Sequence, residues 1–230
     1  MSIICNSLSY IYIHIPKTGG TSVARTLSDI NIAGDLELGV TEIGEMHQAQ
    51  YLSRFGVRKH STYMEFLLSM GQRRIDEYFV FATVRHPITR VLSLYHFLKS
   101  HWRDWEGSEV MDSFDNLEEF LCSDLFQTNG PDYLLVSQLD YLQGADGEFA
   151  VDAIYKMEQL DDQWSSLILP SLGLPKHVYP TLNIPHLNTA SGQLDVMLTP
   201  RSLEILMNRY GAEFDRLGYL TSGMEGLTAR

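Results

Sequence analysis

The sequence predicts an α/β fold in three layers, with a central, mainly parallel β-sheet flanked by helices. Two stretches carry this prediction. Tyr10 to Ile15 and Tyr78 to Val84 are short apolar runs rich in β-branched and aromatic residues. Each passes through a proline-containing turn into a segment with helical apolar spacing. Strands that alternate with helices need crossover connections, which align the strands in parallel and cover both faces of the sheet. A third observation is compositional: 230 residues with 44% hydrophobic and 11% aromatic content suffice to build one domain over residues 1–230.

Taken in order, Tyr10 to Ile15 is a buried strand stopped by Pro16. Thr21 to Ile30 then places Val23, Ala24, Leu27 and Ile30 at helical spacing. Asn31 to Gly44 has glycines, acids and no period, and reads as a loop. Met46 to Phe55 and Tyr63 to Met70 read as short helices. After the second strand, Ile88 to Ser100 carries Val91, Leu92, Tyr95 and Leu98 as an apolar stripe. Leu117 to Cys122 and Tyr133 to Leu142 look helical, Ala153 to Met157 reads as a third strand, and Gln159 to Leu167 as a helix behind it. The stretch from Leu172 to Gly192 holds three prolines and no period, a long loop of the kind that often serves function. Thr199 and Pro200 have the residue types of an N-cap and a first helical position, for a helix to about Tyr210.

The first turn, "PKTGGTS", is built for an anion. Gly19 and Gly20 let the backbone curl so that successive N–H groups point inward, and the helix behind adds its own N–H groups and positive dipole end. Lys17 supplies a point charge, and Thr18, Thr21 and Ser22 supply hydroxyls. The cradle is P-loop-like without being a Walker A loop, whose lysine follows its glycines. A plain connecting turn is the alternative reading of a glycine pair; lysine, threonine and serine packed around this one favour the cradle.

The second turn, "RHPITRVLSLY", ends a strand in Arg85 and places Ser93 eight residues on, inside the helix that Pro87 starts. Arg85 can fork onto a phosphate while Ser93, about two turns along, donates a hydroxyl to the same group. Arg90, between them, is either a ligand or a partner in a surface salt bridge.

Lys+Arg 17 against Asp+Glu 29 gives a net charge of -12, which disfavours general nucleic-acid binding and adsorption to anionic membranes. Cys5 and Cys122 are too few and too far apart for a disulfide scaffold or a metal site. No HExxH, CxxC or clustered acidic and histidine spacing indicates a metal. No signal peptide or membrane-span pattern is seen, so a cytoplasmic, reducing location is expected.

"HIPKTGGTS" together with "RHPITRVLSLY" closely resembles the two nucleotide-binding elements of sulfotransferases, enzymes that use 3′-phosphoadenosine 5′-phosphosulfate (PAPS). The likeness is nearest to the branch with the carbohydrate 2-O- and 6-O-sulfotransferases and short bacterial relatives. "YKMEQL", "HLNTASG" and "YGAEFDRLGY" also look like that branch, so the resemblance runs thinly along most of the chain.

The resemblance implies that Lys17, Thr18, Gly19, Gly20, Thr21 and Ser22 hold the 5′-phosphosulfate, and that Arg85 and Ser93 grip the 3′-phosphate. It implies that Asn188, Thr189 and Ser191 close over the nucleotide. The implied reaction is in-line sulfuryl transfer without a metal, with Lys17 stabilising the leaving phosphate and a histidine taking the acceptor proton. Eight histidines are available: 14, 47, 60, 86, 96, 101, 177 and 186. His47 resembles the histidine that relatives place after the first helix; His60 is the reserve, and Glu45 a weaker carboxylate alternative. Trp102 and Trp105 either stack on a sugar or cover a small satellite core. The acceptor is a hydroxyl-bearing carbohydrate, glycolipid or small alcohol. A kinase or other phosphotransferase using Mg-ATP, and a non-catalytic nucleotide-binding module, remain the alternative readings.

Overall fold

A computed structural model describes residues 1–39, 41–100, 108–130, 134–185 and 198–220. The chain forms two compact units, one from Met1–Val84 with Gln138–Leu187, the other from Arg85–Ser137 with Asn188–Arg230.

The first unit holds a five-stranded sheet in the order β3-β1-β2-β4-β5, made of β1 (Ser2–Cys5), β2 (Tyr10–Ile13), β3 (Leu36–Leu38), β4 (Phe79–Val84) and β5 (Ala153–Lys156). β2 pairs in parallel with β4 (Tyr12 opposite Phe81), and β4 in parallel with β5 (Thr83 opposite Tyr155). β1 runs antiparallel to both β2 and β3, so β3, β2, β4 and β5 share one direction and only β1 opposes it. The expected mainly parallel sheet is therefore present, with a reversed strand inserted near one edge.

Side chains alternate between the sheet faces. Tyr10, Tyr12 and Phe81 pack with Val23, Ala24 and Leu27 of helix α1 (Gly20–Ser28) and with Leu160, Trp164 and Ile168 further along the chain. Ile11, Ile13, Val80 and Ala82 on the other face are buried as well. Both faces are covered, as the unbroken apolar strands require. The other α-helices among the described residues of this unit are α2 (Glu42–Met46), α3 (Gln48–Phe55), α4 (Tyr63–Met70), α5 (Gln72–Ile75), α10 (Gln138–Leu142), α11 (Leu160–Gln163) and α12 (Leu169–Ser171).

The second unit contains α6 (Pro87–Ser100), α7 (Ser108–Ser113), α8 (Leu117–Cys122), α9 (Asp124–Gln127) and α13 (Pro200–Arg216). Leu94, Leu98, Phe120, Phe126, Leu206, Tyr210 and Phe214 lie in its core. Arg90 is buried there, its guanidinium donating to the carbonyls of Leu134 at 2.9 Å and Val136 at 3.0 Å. It thus holds a loop in place from within rather than forming a surface salt bridge.

Three local expectations change. β1 and β3 fall where no strand was expected, because "SIIC" and "LEL" are too short to show a period; they are strands by pairing with each other. The helix expected over Tyr133 to Leu142 is limited, among the described residues, to Gln138–Leu142. Helix α13 starts as expected, with the Ser202 N–H donating to Thr199 Oγ1 at 3.0 Å, but runs on to Arg216 because Tyr210 and Phe214 continue its buried stripe. Cys5 and Cys122 are both free thiols.

Candidate active site

The turn between β2 and α1 has two left-handed residues, Lys17 at φ 68° and Gly19 at φ 79°, with Gly19 as the N-cap of α1. The Gly19 carbonyl accepts from Ser22 N at 3.0 Å and Val23 N at 3.4 Å, so the helical ladder begins there. The N–H groups of Gly20 and Thr21 precede that ladder and belong to the donors a helix start leaves over. Left-handed turns at such a start form a concave nest for an anion, reinforced by the helix dipole. Lys17, Gly19 and Thr21 are half-exposed, whereas Thr18, Gly20 and Ser22 are buried. The loop therefore shows alternate residues to solvent and anchors the others.

The anchors are polar. The Thr18 hydroxyl donates to the Ile15 carbonyl at 2.8 Å and lies 3.2 Å from Thr83 Oγ1, which lies 2.8 Å from the Tyr12 hydroxyl. Since the Thr18 proton goes to Ile15, Thr83 donates to Thr18 and Tyr12 donates to Thr83. The Thr18 side chain thus faces inward, leaving its main chain to the cradle. Burial raises the Tyr12 pKa, which keeps this chain of hydroxyls neutral.

Two further supports lie beneath the loop. A Cβ on Gly20 would fall 1.7 Å from His14 Cδ2, so the imidazole rests directly on the first residue of α1. A Cβ on Gly19 would fall 3.2 Å from Met157 Cγ, which places the methionine of "YKMEQL" against the left-handed N-cap. Glu158, beside it, is exposed.

His14 is buried. Its main-chain N–H donates to Ser2 Oγ at 3.0 Å, and its Nδ1 lies 3.3 Å from the Met1 amine. Its ring centroid is 4.7 Å from that of His60. His60 Nδ1 lies 3.2 Å from the His14 carbonyl. A carbonyl only accepts, so Nδ1 carries the proton and Nε2 the lone pair. Burial, then the Met1 amine, holds both imidazoles well below their usual pKa.

His60 is half-buried in a tight turn closed by Ser61 N to Arg58 O at 3.1 Å and Arg58 N to Ser61 Oγ at 2.8 Å. The turn leads into α4, whose Thr62 and Glu65 form a reciprocal capping box. His47 lies elsewhere: half-exposed, it joins α2 to α3, with its ring edge-on to Tyr51 at 6.3 Å. No bond among the described residues ties the His47 ring to the glycine loop. Glu45 is exposed and pairs with Lys59 at 3.5 Å.

In the second unit, Arg85 Nε donates to Thr89 Oγ1 at 3.2 Å, which ties the arginine to the first turn of α6. Arg85, Thr89 and Ser93 are each half-exposed, while Ile88, Arg90, Val91 and Leu92 are buried. The structure places Arg85 just ahead of α6 and Ser93 within it, and it ties Arg85 to Thr89, a residue the sequence does not single out. His14 as the floor of the loop and Met157 as its side wall were also not foreseen. Asn188, Thr189, Ser191, His101, His186, Trp102 and Trp105 lie outside the described residues. Among the described residues, no group of three histidine, cysteine or acidic side chains is placed to hold a metal, and no helix is long and apolar enough to cross a membrane. A cavity lined by Ser7, Leu8, Asp29, Ile32 and Val178 lies at the opposite end of α1 from the glycine loop.

A crystal structure of the mouse sulfotransferase SULT7A1 complexed with PAP is similar to the chain at 16% identity and a TM-score of 0.44, over 90% of this chain and 81% of that one. No curated protein sequence matches significantly. A model of the Sulfotransferase family matches residues 1–220, a span that takes in the glycine loop, the Arg85–Ser93 helix and the turn bearing His60, and the chain belongs to that family.

Proposed function

We propose that this chain, acting as one sulfotransferase domain, moves a sulfuryl group from PAPS to the hydroxyl of a carbohydrate, glycolipid or small alcohol. The observation that carries this reading is the loop from Lys17 to Ser22, where two left-handed residues open the start of α1 beside a half-exposed lysine. A second anion motif, Arg85 with Ser93, gives the 3′-phosphate its own partners, which a nucleotide carrying only a 5′-phosphate chain would not use.

PAPS supplies a sulfuryl group whose leaving group is a phosphate. The S–O bond to that phosphate breaks as the S–O bond to the acceptor oxygen forms. Charge then grows on the phosphate oxygen, where the Lys17 ammonium and the N–H groups of Gly20 and Thr21 stabilise it. Asn188, Thr189 and Ser191 enter as closing contacts on the resemblance alone.

A histidine takes the acceptor proton. Geometry favours His60 over the expected His47. His60 presents an Nε2 lone pair fixed by the His14 carbonyl, one ring away from the floor of the loop, and burial keeps it neutral at pH 7. His47 serves as the comparison. Ile43, Met46, Leu52 and Phe55 are exposed on the helices around His47. That surface, with a net charge of -12, supports a neutral acceptor over a highly anionic polymer.

Calorimetric titration with adenosine 3′,5′-bisphosphate, ATP and AMP, each with and without Mg²⁺, tests the reading. Tight, metal-independent binding of the bisphosphate is expected. Preference for Mg-ATP would replace the reading with a phosphotransferase, and no nucleotide binding would leave an interaction module.

A further inference from the structure

The Arg85 side chain is not simply an extended cation after β4. Its Nε donates to Thr89 Oγ1 at 3.2 Å, and that same hydroxyl donates to the His86 carbonyl at 3.1 Å. Donation to His86 uses the one hydroxyl proton, so the lone pair facing Arg85 is fixed rather than rotating. Thr89 and Ser93, four residues apart, lie in one row along α6, and Arg85 sits two residues ahead of its first residue, Pro87. All three are half-exposed, whereas residues 87, 88, 90, 91 and 92 of α6 are buried.

We propose that Thr89 is a positioning residue for the nucleotide: by holding Arg85 through Nε, it sets the guanidinium plane so that the terminal nitrogens face the 3′-phosphate on the Ser93 side of α6. This rests on the PAPS reading above. The physical reason is entropic. An arginine side chain has many rotamers, and a bond made before the ligand arrives removes part of the ordering that binding would otherwise require. Nε is the right atom for the task, because a bond there fixes the plane of the guanidinium. Thr89 does not touch the phosphate; it acts through Arg85.

The test uses the full chain with Thr89→Val, which keeps the β-branched shape and removes the hydroxyl, and Thr89→Ser, which keeps the hydroxyl. Each is titrated with adenosine 3′,5′-bisphosphate and with 5′-AMP. Thr89→Val should weaken the bisphosphate by about five- to tenfold, the worth of one ordinary hydrogen bond, and leave 5′-AMP unchanged. Thr89→Ser should stay within about twofold of the unmodified chain for both ligands. Thr89→Ala gives the same readout should the valine variant misfold.

Unchanged bisphosphate affinity in Thr89→Val would overturn the proposal, as would an equal loss for both nucleotides, which is what a merely structural role predicts. Arg85→Ala separates the two levels. An unmodified chain that prefers the bisphosphate, with that preference lost in Arg85→Ala but kept in Thr89→Val, sinks the Thr89 role alone. An unmodified chain with no preference sinks the PAPS reading and the Thr89 role with it.

Discussion

Gly20→Ala gives a prediction whose sign separates sequence rules from structure. Gly20 is the first residue of α1 and has no positive φ. By helix propensity alone, alanine should stabilise the chain by up to about 1 kcal/mol. In the structure the new methyl would sit 1.7 Å from His14 Cδ2 and 2.2 Å from Nε2, about 1.7 Å short of the 3.4 Å at which ordinary contact begins. His14 has nowhere easy to go. Its N–H is tied to Ser2, its carbonyl to His60, and its ring lies beside the His60 ring. Overpacking of a close-packed interior costs about 1–3 kcal/mol, and a clash this short against a ring with fixed neighbours belongs at the upper end. The net expectation is a loss of about 2 kcal/mol, or about 4–8 °C in melting temperature for a domain of this size. The helix start must also shift, moving the N–H groups of the cradle, so bisphosphate affinity should fall by about tenfold or more. Thermal melts and calorimetry check both numbers. In a His14→Ala background, the methyl enters the vacated space and Gly20→Ala should become neutral or stabilising. Equal effects of Gly20→Ala in the two backgrounds would refute the contact, because residues in direct contact are not additive.

Lys17→Ala should lower PAPS turnover by orders of magnitude with circular dichroism unchanged; Lys17→Gly should lose as much activity while melting no lower than the alanine variant, because glycine suits the left-handed turn. His60→Gln should cut turnover at least a hundredfold and spare bisphosphate binding, whereas His47→Ala should do neither; the opposite pattern in a steady-state assay would return the base to His47. Stability should fall as pH drops below about 6.5. His14 and His60 stay neutral in the folded chain, held there by burial, while the unfolded chain takes up protons there. Each histidine contributes up to about 1.4 kcal/mol per pH unit. Urea titrations between pH 7 and pH 5 should show a shallower slope in His60→Gln than in the unmodified chain.

The sheet's parallel half was legible because β2 and β4 are unbroken apolar runs ending at Pro16 and ahead of Pro87, a pattern with few other interpretations. β1 and β3 were not, since a three- or four-residue strand is defined by its partner and carries no period of its own. The two candidate anion motifs stand out as short strings, because glycines, a lysine and an arginine after buried strands suggest a local purpose. The proposed base was harder to find. His60 has nothing unusual in its own vicinity, and what singles it out is a hydrogen bond to a carbonyl 46 residues earlier. The one local clue was the Thr62–Glu65 capping box, which fixes where α4 begins and hence where the turn before it must lie. Thr89 was missed for the opposite reason: it sits in plain view between Arg85 and Ser93, but only the direction of the arginine side chain shows what it does.

The strongest argument for the role of Lys17 comes from its backbone. Among the described residues, three non-glycines have positive φ: Ser9, Lys17 and Asn129. Serine and asparagine are turn formers, and asparagine tolerates the left-handed region through local hydrogen bonding. Lysine is not a turn former of that kind, and its β-carbon costs about 1–2 kcal/mol in that conformation relative to the right-handed one. The neighbours hold it there: Pro16 is buried ahead of it, and Thr18 is tied behind it to Ile15. Glycine at position 17 would relieve the cost and still complete the turn, as Gly19 does two residues on. A strained residue that glycine could replace without structural loss is one whose side chain is needed. On the proposed reading that side chain is the ammonium that meets the leaving phosphate of a sulfuryl transfer as its charge grows.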